Sequence, residues 1–202
     1  MLTIYHAPGT RSLRVIWLCH ELDLPHEVKT IDFAGGYRAT PEWRRLNPVG
    51  KVPVMSDGEF TMFESGAMVQ YLLDRYGNGR LQPPPGTERH GLYLQWSWFA
   101  EATYARPVGE IVNHARAFGR DGQISAVVEG MKGRARLCSI AVDQALKDRS
   151  YLLGEEFTAA DVMMGYSVMI AQRYASIEGL PDLNAYWERL SSRPAYLRAA
   201  AA

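Results

Sequence analysis

At 202 residues the chain is long enough for one large domain or two small ones, each with a core of its own. Lys plus Arg and Asp plus Glu both number 22, so the formal net charge is zero; neither a nucleic-acid partner nor an acidic membrane surface is indicated, and any positive patch must be local. The two cysteines, Cys19 and Cys138, lie far apart and form no C-x-x-C, so neither a redox dithiol nor a metal site is implied.

The first residues run straight into strand-like sequence with no basic and apolar leader, and apolar runs such as VMMGYSVMIA are too short to span a membrane, which points to a cytoplasmic globular protein. LTIY predicts a first strand, broken by Pro8-Gly9, and SLRVIWLCHEL predicts a helix beginning at Ser12. HEVKTIDF reads as a second strand, and TPEWRRLNP as a short helix with Thr40 as N-cap and Pro41 at the first helical position. VPVMSDGEFTMFE predicts two strands around a Ser56-Asp57-Gly58 turn, and SGAMVQYLLDRYG a helix with Ser65 as N-cap and Gly77 just past its end. This βαβ-α-ββα order predicts a small α/β domain over residues 1–77.

GNGRLQPPPGT then reads as a linker over 78–87, after which strand signals fade. Helices are expected at about 88–118, 123–148, 159–175 and 182–199, making an all-α domain over 88–202. EFTAADV places Thr158 and Asp161 three residues apart before an apolar run, a capping-box pattern with Asp in place of the usual Glu or Gln.

Three stretches carry the chemistry. The strand-to-helix turn YHAPGTRSLRV brings backbone N–H groups and a helix dipole to one spot, and offers Thr10, Arg11 and Ser12. Ser12 is better explained as the N-cap of the first helix than as a catalytic group. In GKVPV, Pro53 cannot donate to a ladder, so it belongs at an edge or in a special geometry. A cis Val52–Pro53 bond would turn the Val52 backbone outward to pair with an extended peptide, although only about one X–Pro bond in twenty is cis. Glu64-Ser65 sets an acid beside a helix N-terminus, a pairing that suits the ammonium and carboxylate of an α-amino acid, although as pattern alone an ordinary N-cap with a solvated acid before it is the favoured reading. The histidines show no ligand spacing, so no metal is assigned.

In order and spacing, NPVGKVPV, DGEFTMFESGAMVQYL, FTAADV and LNAYWERLSSRPAY resemble the cytosolic glutathione transferase family, with a bacterial-type, serine- or threonine-like active-site loop. The resemblance implies a thioredoxin-like α/β N-terminal domain followed by an all-α C-terminal domain. It implies that Pro53 is the family's cis-proline, that Val52 pairs with the cysteinyl part of glutathione, and that Glu64 and Ser65 hold its γ-glutamyl head. Lys51 and Arg38 fall near the glycine end; both are also explained as surface charges. Thr10 aligns with the hydroxyl of serine-type members. Arg11 stands where a bacterial class has cysteine, which argues against mixed-disulfide chemistry and supplies a cation near the thiolate. The implied ranking for the residue facing the sulfur is Thr10, then Ser12, then Tyr5. Trp98 and Tyr104 are candidates for the electrophile pocket, expected between the domains, with core packing as the alternative for both.

The function implied is glutathione conjugation to a small electrophile, as in detoxification, by a homodimer using glutathione as cosubstrate and no metal. Glutathione-dependent isomerisation, peroxide reduction or disulfide reduction, and a non-catalytic interaction role, stand as alternatives.

Overall fold

A computed structural model describes residues 1–119 and 121–202. The chain divides into two compact units, Met1–Leu81 together with Ser192–Ala202, and Gln82–Ser191.

The first unit is a four-stranded mixed sheet with helices. Strand β1 (Leu2–His6) leads into α1 (Ser12–Glu21) and β2 (His26–Thr30); a single 3₁₀ turn (Tyr37–Ala39) precedes α2 (Pro41–Leu46). The hairpin of β3 (Val54–Asp57) and β4 (Phe60–Phe63) is followed by α3 (Ser65–Tyr76). The sheet order is β2-β1-β3-β4, with β1 parallel to β2 and the other pairs antiparallel. The hairpin turn is shifted from the expected position: Ser56 and Asp57 stay in the ladder, and Gly58 with φ 61° starts a two-residue loop. Glycine takes that backbone conformation without a Cβ clash.

Alternation along β1 sends Leu2, Ile4 and His6 inward, where they meet α1, whose residues Ser12–Cys19 are all buried. Thr40 caps α2 by accepting from Trp43 N–H at 3.2 Å, and Pro41 occupies the first helical position, where its missing N–H costs nothing. Tyr5 packs edge-on against the buried Trp43, ring centroids 5.6 Å apart.

The second unit contains α4 (Glu88–Trp98), a π-helical segment (Phe99–Tyr104), α5 (Ala105–Phe118), α6 (Ser125–Ala145), α7 (Ala159–Tyr174) and α8 (Pro181–Ser191). The helix expected over 88–118 is therefore interrupted by a π turn. The buried Ser167 hydroxyl donates to the carbonyl of Ala100 in that turn at 2.7 Å. Helix α7 is the centre of the unit, with Ala159–Val168 buried without a break. The capping box at its start is present, the Asp161 carboxylate accepting from Thr158 N–H at 2.8 Å.

The helix expected over 182–199 is two helices. Pro194 has no N–H to give and restricts Arg193 before it, which is extended (ψ 133°), so α8 stops and α9 (Pro194–Ala200) starts anew. Helix α9 belongs to the first unit, where it packs on α1: Tyr196 meets Trp17 edge-on at 5.0 Å, and Arg193 grips Glu21 with bonds of 2.7 and 2.8 Å. Among the described residues no helix is long and apolar enough to cross a membrane.

Candidate functional site

Sheet topology brings the three chemical stretches of the first unit together. Antiparallel pairing sets Tyr5 opposite Val54 and Val54 opposite Phe63. The exit of β1, the entry to β3 and the exit of β4 therefore share one end of the sheet. Residues 7–12, 51–53 and 64–65 emerge there. The exit of β2 joins them, since Ile31 N–H donates to the His6 carbonyl at 2.8 Å. That exit leads to the loop bearing Arg38.

The first turn is built by Gly9, at φ 74°, and by hydroxyls. Thr10 Oγ1 donates to the Ala7 carbonyl at 2.7 Å and lies 2.7 Å from Ser12 Oγ, which in turn lies 2.8 Å from His6 Nδ1. The N-cap of α1 is Arg11, with no side-chain cap bond, so Ser12 is the first helical residue and not the cap. Its hydroxyl turns inward to the His6–Thr10 cluster, which takes the place of capping. Ser12 is fully buried and Thr10 half-buried.

The Val52–Pro53 bond is cis. Buried Asn47 fixes the approach to it: its Oδ1 accepts from Val49 N–H and its Nδ2 donates to the Lys51 carbonyl, each at 3.1 Å. The Lys51 side chain is exposed, and Val52 stands just outside the strand pairing, which begins at Val54. Arg38 donates to the carbonyls of Phe33 (2.9 Å) and Gly50 (3.2 Å) and stacks on the Phe33 ring at 3.8 Å. Gly50 is required here: φ is 64°, and a Cβ would meet the Arg38 carbonyl at 2.7 Å.

Glu64, and not Ser65, is the N-cap of α3, and it adopts φ 76°, ψ 106°, a strained backbone for a residue with a Cβ. This conformation leaves the Glu64 side chain exposed beside the buried Ser65 hydroxyl. Ser65 Oγ accepts from Arg14 Nη1 at 3.3 Å, so a buried guanidinium stands behind it. Arg11, Arg14, Arg38 and Lys51 lie on segments that emerge at or border this end of the sheet, as do Asp32 and Glu64.

Two polar residues of this end went unread in the sequence, His6 and Arg14. Both had a signal: His6 shares the inward alternation of Leu2 and Ile4, and Arg14 interrupts the apolar face of α1, so each is a polar group placed where burial is expected.

In the second unit, Tyr104 is fully buried with its hydroxyl 2.7 Å from Ser139 Oγ, and burial pushes its pKa up to about 12. It is a core residue. Trp98 is 66% exposed. A cleft of about 450 Å³ in this unit, lined by Thr103, Arg106, Glu110, Met131 and Arg134 among others, includes neither of them. Among the described residues no group of three or more His, Cys, Asp or Glu is arranged to hold a metal ion.

Residues 1–74 match the family model described as glutathione S-transferase, N-terminal domain, and residues 121–194 match glutathione S-transferase, C-terminal domain. Glutathione S-transferase 3 of Schizosaccharomyces pombe is 31% identical over 207 residues, covering 96% of this chain and 85% of its own. Among solved structures, the theta class glutathione S-transferase from Xanthomonas axonopodis pv. citri, with glutathione bound, superposes with a TM-score of 0.84 at 27% identity, covering 100% of this chain and 97% of that one. A glutathione S-transferase from Actinobacillus pleuropneumoniae gives 0.83 at 26% identity, covering 98% and 91%.

Proposed function

This chain belongs to the glutathione S-transferase family, and we propose that it binds glutathione across the shared end of its sheet, stabilises the thiolate, and joins it to a small electrophile. The observation that carries this reading is the convergence of the Thr10 turn, the cis Val52–Pro53 bond and the Glu64–Ser65 pair at that end. In it, Glu64 takes the ammonium of the γ-glutamyl head and Ser65, backed by Arg14, its carboxylate. The Val52 backbone, presented by Pro53, pairs with the cysteinyl residue. Arg38 and Lys51 face the glycine carboxylate. Trp98 offers an apolar surface to the electrophile, and Tyr104 serves the core.

Chemistry at the sulfur needs no covalent enzyme intermediate. A free cysteine thiol has a pKa of about 8.5, and each unit of lowering needs about 1.4 kcal/mol of preference for the anion. One hydrogen bond from Thr10 to the charged sulfur supplies about 1.5–3 kcal/mol, and the N-terminus of α1 with Arg11 adds about 0.3–1 kcal/mol. Together they lower the thiol by about one to three units. The proton leaves to solvent, the thiolate attacks the electrophilic carbon, and the new C–S bond replaces a leaving group or opens a strained ring. The same reading makes the protein a cytoplasmic homodimer.

Calorimetry with glutathione, followed by ultraviolet titration of the bound thiol, tests the proposal. Binding with a lowered thiol pKa and turnover of aryl halides or epoxides is expected. No heat at millimolar glutathione would sink it.

A further inference from the structure

Three short contacts run in series through the β1–α1 turn: His6 Nδ1 to Ser12 Oγ at 2.8 Å, Ser12 Oγ to Thr10 Oγ1 at 2.7 Å, and Thr10 Oγ1 to the Ala7 carbonyl at 2.7 Å. Elementary chemistry fixes their direction from one end. A carbonyl oxygen only accepts, so Thr10 gives its single hydroxyl proton to Ala7. The second contact is then a hydrogen bond only if Ser12 donates to Thr10. Ser12 has thereby used its own proton, and the third contact is a hydrogen bond only if His6 donates from Nδ1. The alternative outlet for Ser12, the Ala7 carbonyl, is longer at 3.4 Å.

This places the ring hydrogen of a neutral His6 on Nδ1 and leaves Nε2 as a bare lone pair. Nε2 is buried and, among the described residues, no partner stands at hydrogen-bond geometry to it. The opposite tautomer would bury an unpaired N–H donor there, at a cost of about 1–3 kcal/mol in general. His6 is 2% exposed, and burial, the larger influence, lowers its pKa, with the backbone of Ala202 acting in the opposite sense.

We propose that His6 is the positioning residue of this loop: through Ser12 it orients the hydroxyl chain so that Thr10 presents a donor outward, to the Ala7 carbonyl or, in its place, to the sulfur of glutathione. The inference rests on the glutathione reading above and deepens it. His6 never touches the ligand. Ser12 is the link and Thr10 the residue that faces the sulfur. Three aligned dipoles reinforce one another, so the terminal Thr10 donor is stronger than an isolated hydroxyl.

The test uses the full chain and two variants. In His6→Phe the chain loses its fixed end; in His6→Asn a side-chain amide N–H stands in for Nδ1–H. Ultraviolet titration of bound glutathione is expected to show the thiol pKa raised by about one unit in His6→Phe, about tenfold less thiolate at a fixed pH below the pKa. His6→Asn is expected to recover most of it, while calorimetry shows glutathione bound in all three. A His6→Phe protein whose bound thiol titrates as in the wild type overturns the proposal, as does a His6→Asn protein no better than His6→Phe. Failure of the wild type to bind glutathione would strike the glutathione reading instead. Nitrogen NMR of the wild-type imidazole needs no ligand and no variant: an Nδ1–H tautomer is expected, and an Nε2–H tautomer refutes the orientation.

Discussion

Replacing Asp161 by Ala removes a buried carboxylate from the start of α7. The carboxylate is fully buried and accepts four hydrogen bonds, from Leu152 N–H (3.0 Å), Thr158 N–H (2.8 Å), the Thr158 hydroxyl (3.2 Å) and the Tyr186 hydroxyl (3.0 Å). Desolvation raises its pKa and these four bonds lower it, for a net rise from 3.8 to about 6. Asp161→Ala leaves the buried N–H groups of Leu152 and Thr158 without their acceptor, at about 1–3 kcal/mol each. A loss of about 3 kcal/mol is expected at neutral pH, or a fall of about 6–12 °C in melting temperature for a chain of this size.

The sign with pH is a sharper check on Asp161. Its folded pKa is raised above the unfolded value, so the pH-linked part of its contribution is fully present below pH 3.8 and is lost as pH rises through about 6. The stability gap between wild type and Asp161→Ala should thus widen by about 1 kcal/mol on going from pH 7.5 to pH 5. Denaturant titrations of both proteins at the two pH values measure it. A gap that narrows at pH 5, or a melting temperature unchanged by the substitution, would refute the reasoning.

Thr10→Val should lower kcat/KM for glutathione conjugation by about tenfold or more, the equivalent of one lost unit of thiol acidity. Ser12→Ala should do less, and the reverse order in steady-state kinetics would exchange the roles assigned to the two hydroxyls. Both Glu64→Ala and Glu64→Gly should weaken glutathione binding by calorimetry, but Gly relieves the backbone at φ 76° and should melt higher than Ala by the equivalent of about 1 kcal/mol. Equal melting temperatures would show that position 64 carries no strain. Arg193→Ala leaves the nearly buried Glu21 carboxylate without its bidentate partner, at a cost of about 2 kcal/mol, read as faster amide exchange along α1.

The architecture was legible in the sequence because its punctuation is local. Thr40-Pro41 starts α2, Gly77 follows α3, and the Thr158–Asp161 box opens α7, each by chemistry contained within a few residues. The misplacements are local too. Ser12 and Ser65 each sit one residue inside the helix they were expected to cap, because their hydroxyls are claimed by partners distant in sequence or by the turn itself. Pro194 divides the last helix, as its missing N–H requires. What pattern could not supply is tertiary: that Arg14 reaches Ser65 across 51 positions, that His6 turns back to Ser12, and that Tyr104 points into a core to meet Ser139. Alternation and helical spacing say which side chain is inward but not what it meets there.

The packing of α9 on α1 has a bearing on how the molecule is made. Residues 82–191 interrupt the first unit, so a nascent chain completes the whole second unit before residues 192–202 leave the ribosome. Until then the side of α1 that carries Trp17 and Glu21 lacks Tyr196 and Arg193. The sheet end that gathers Thr10, Val52 and Glu64 is thus assembled on a helix whose other flank closes later, and translation order makes the loop bearing His6, Thr10 and Ser12 older than the anchoring of its helix by a whole folded unit.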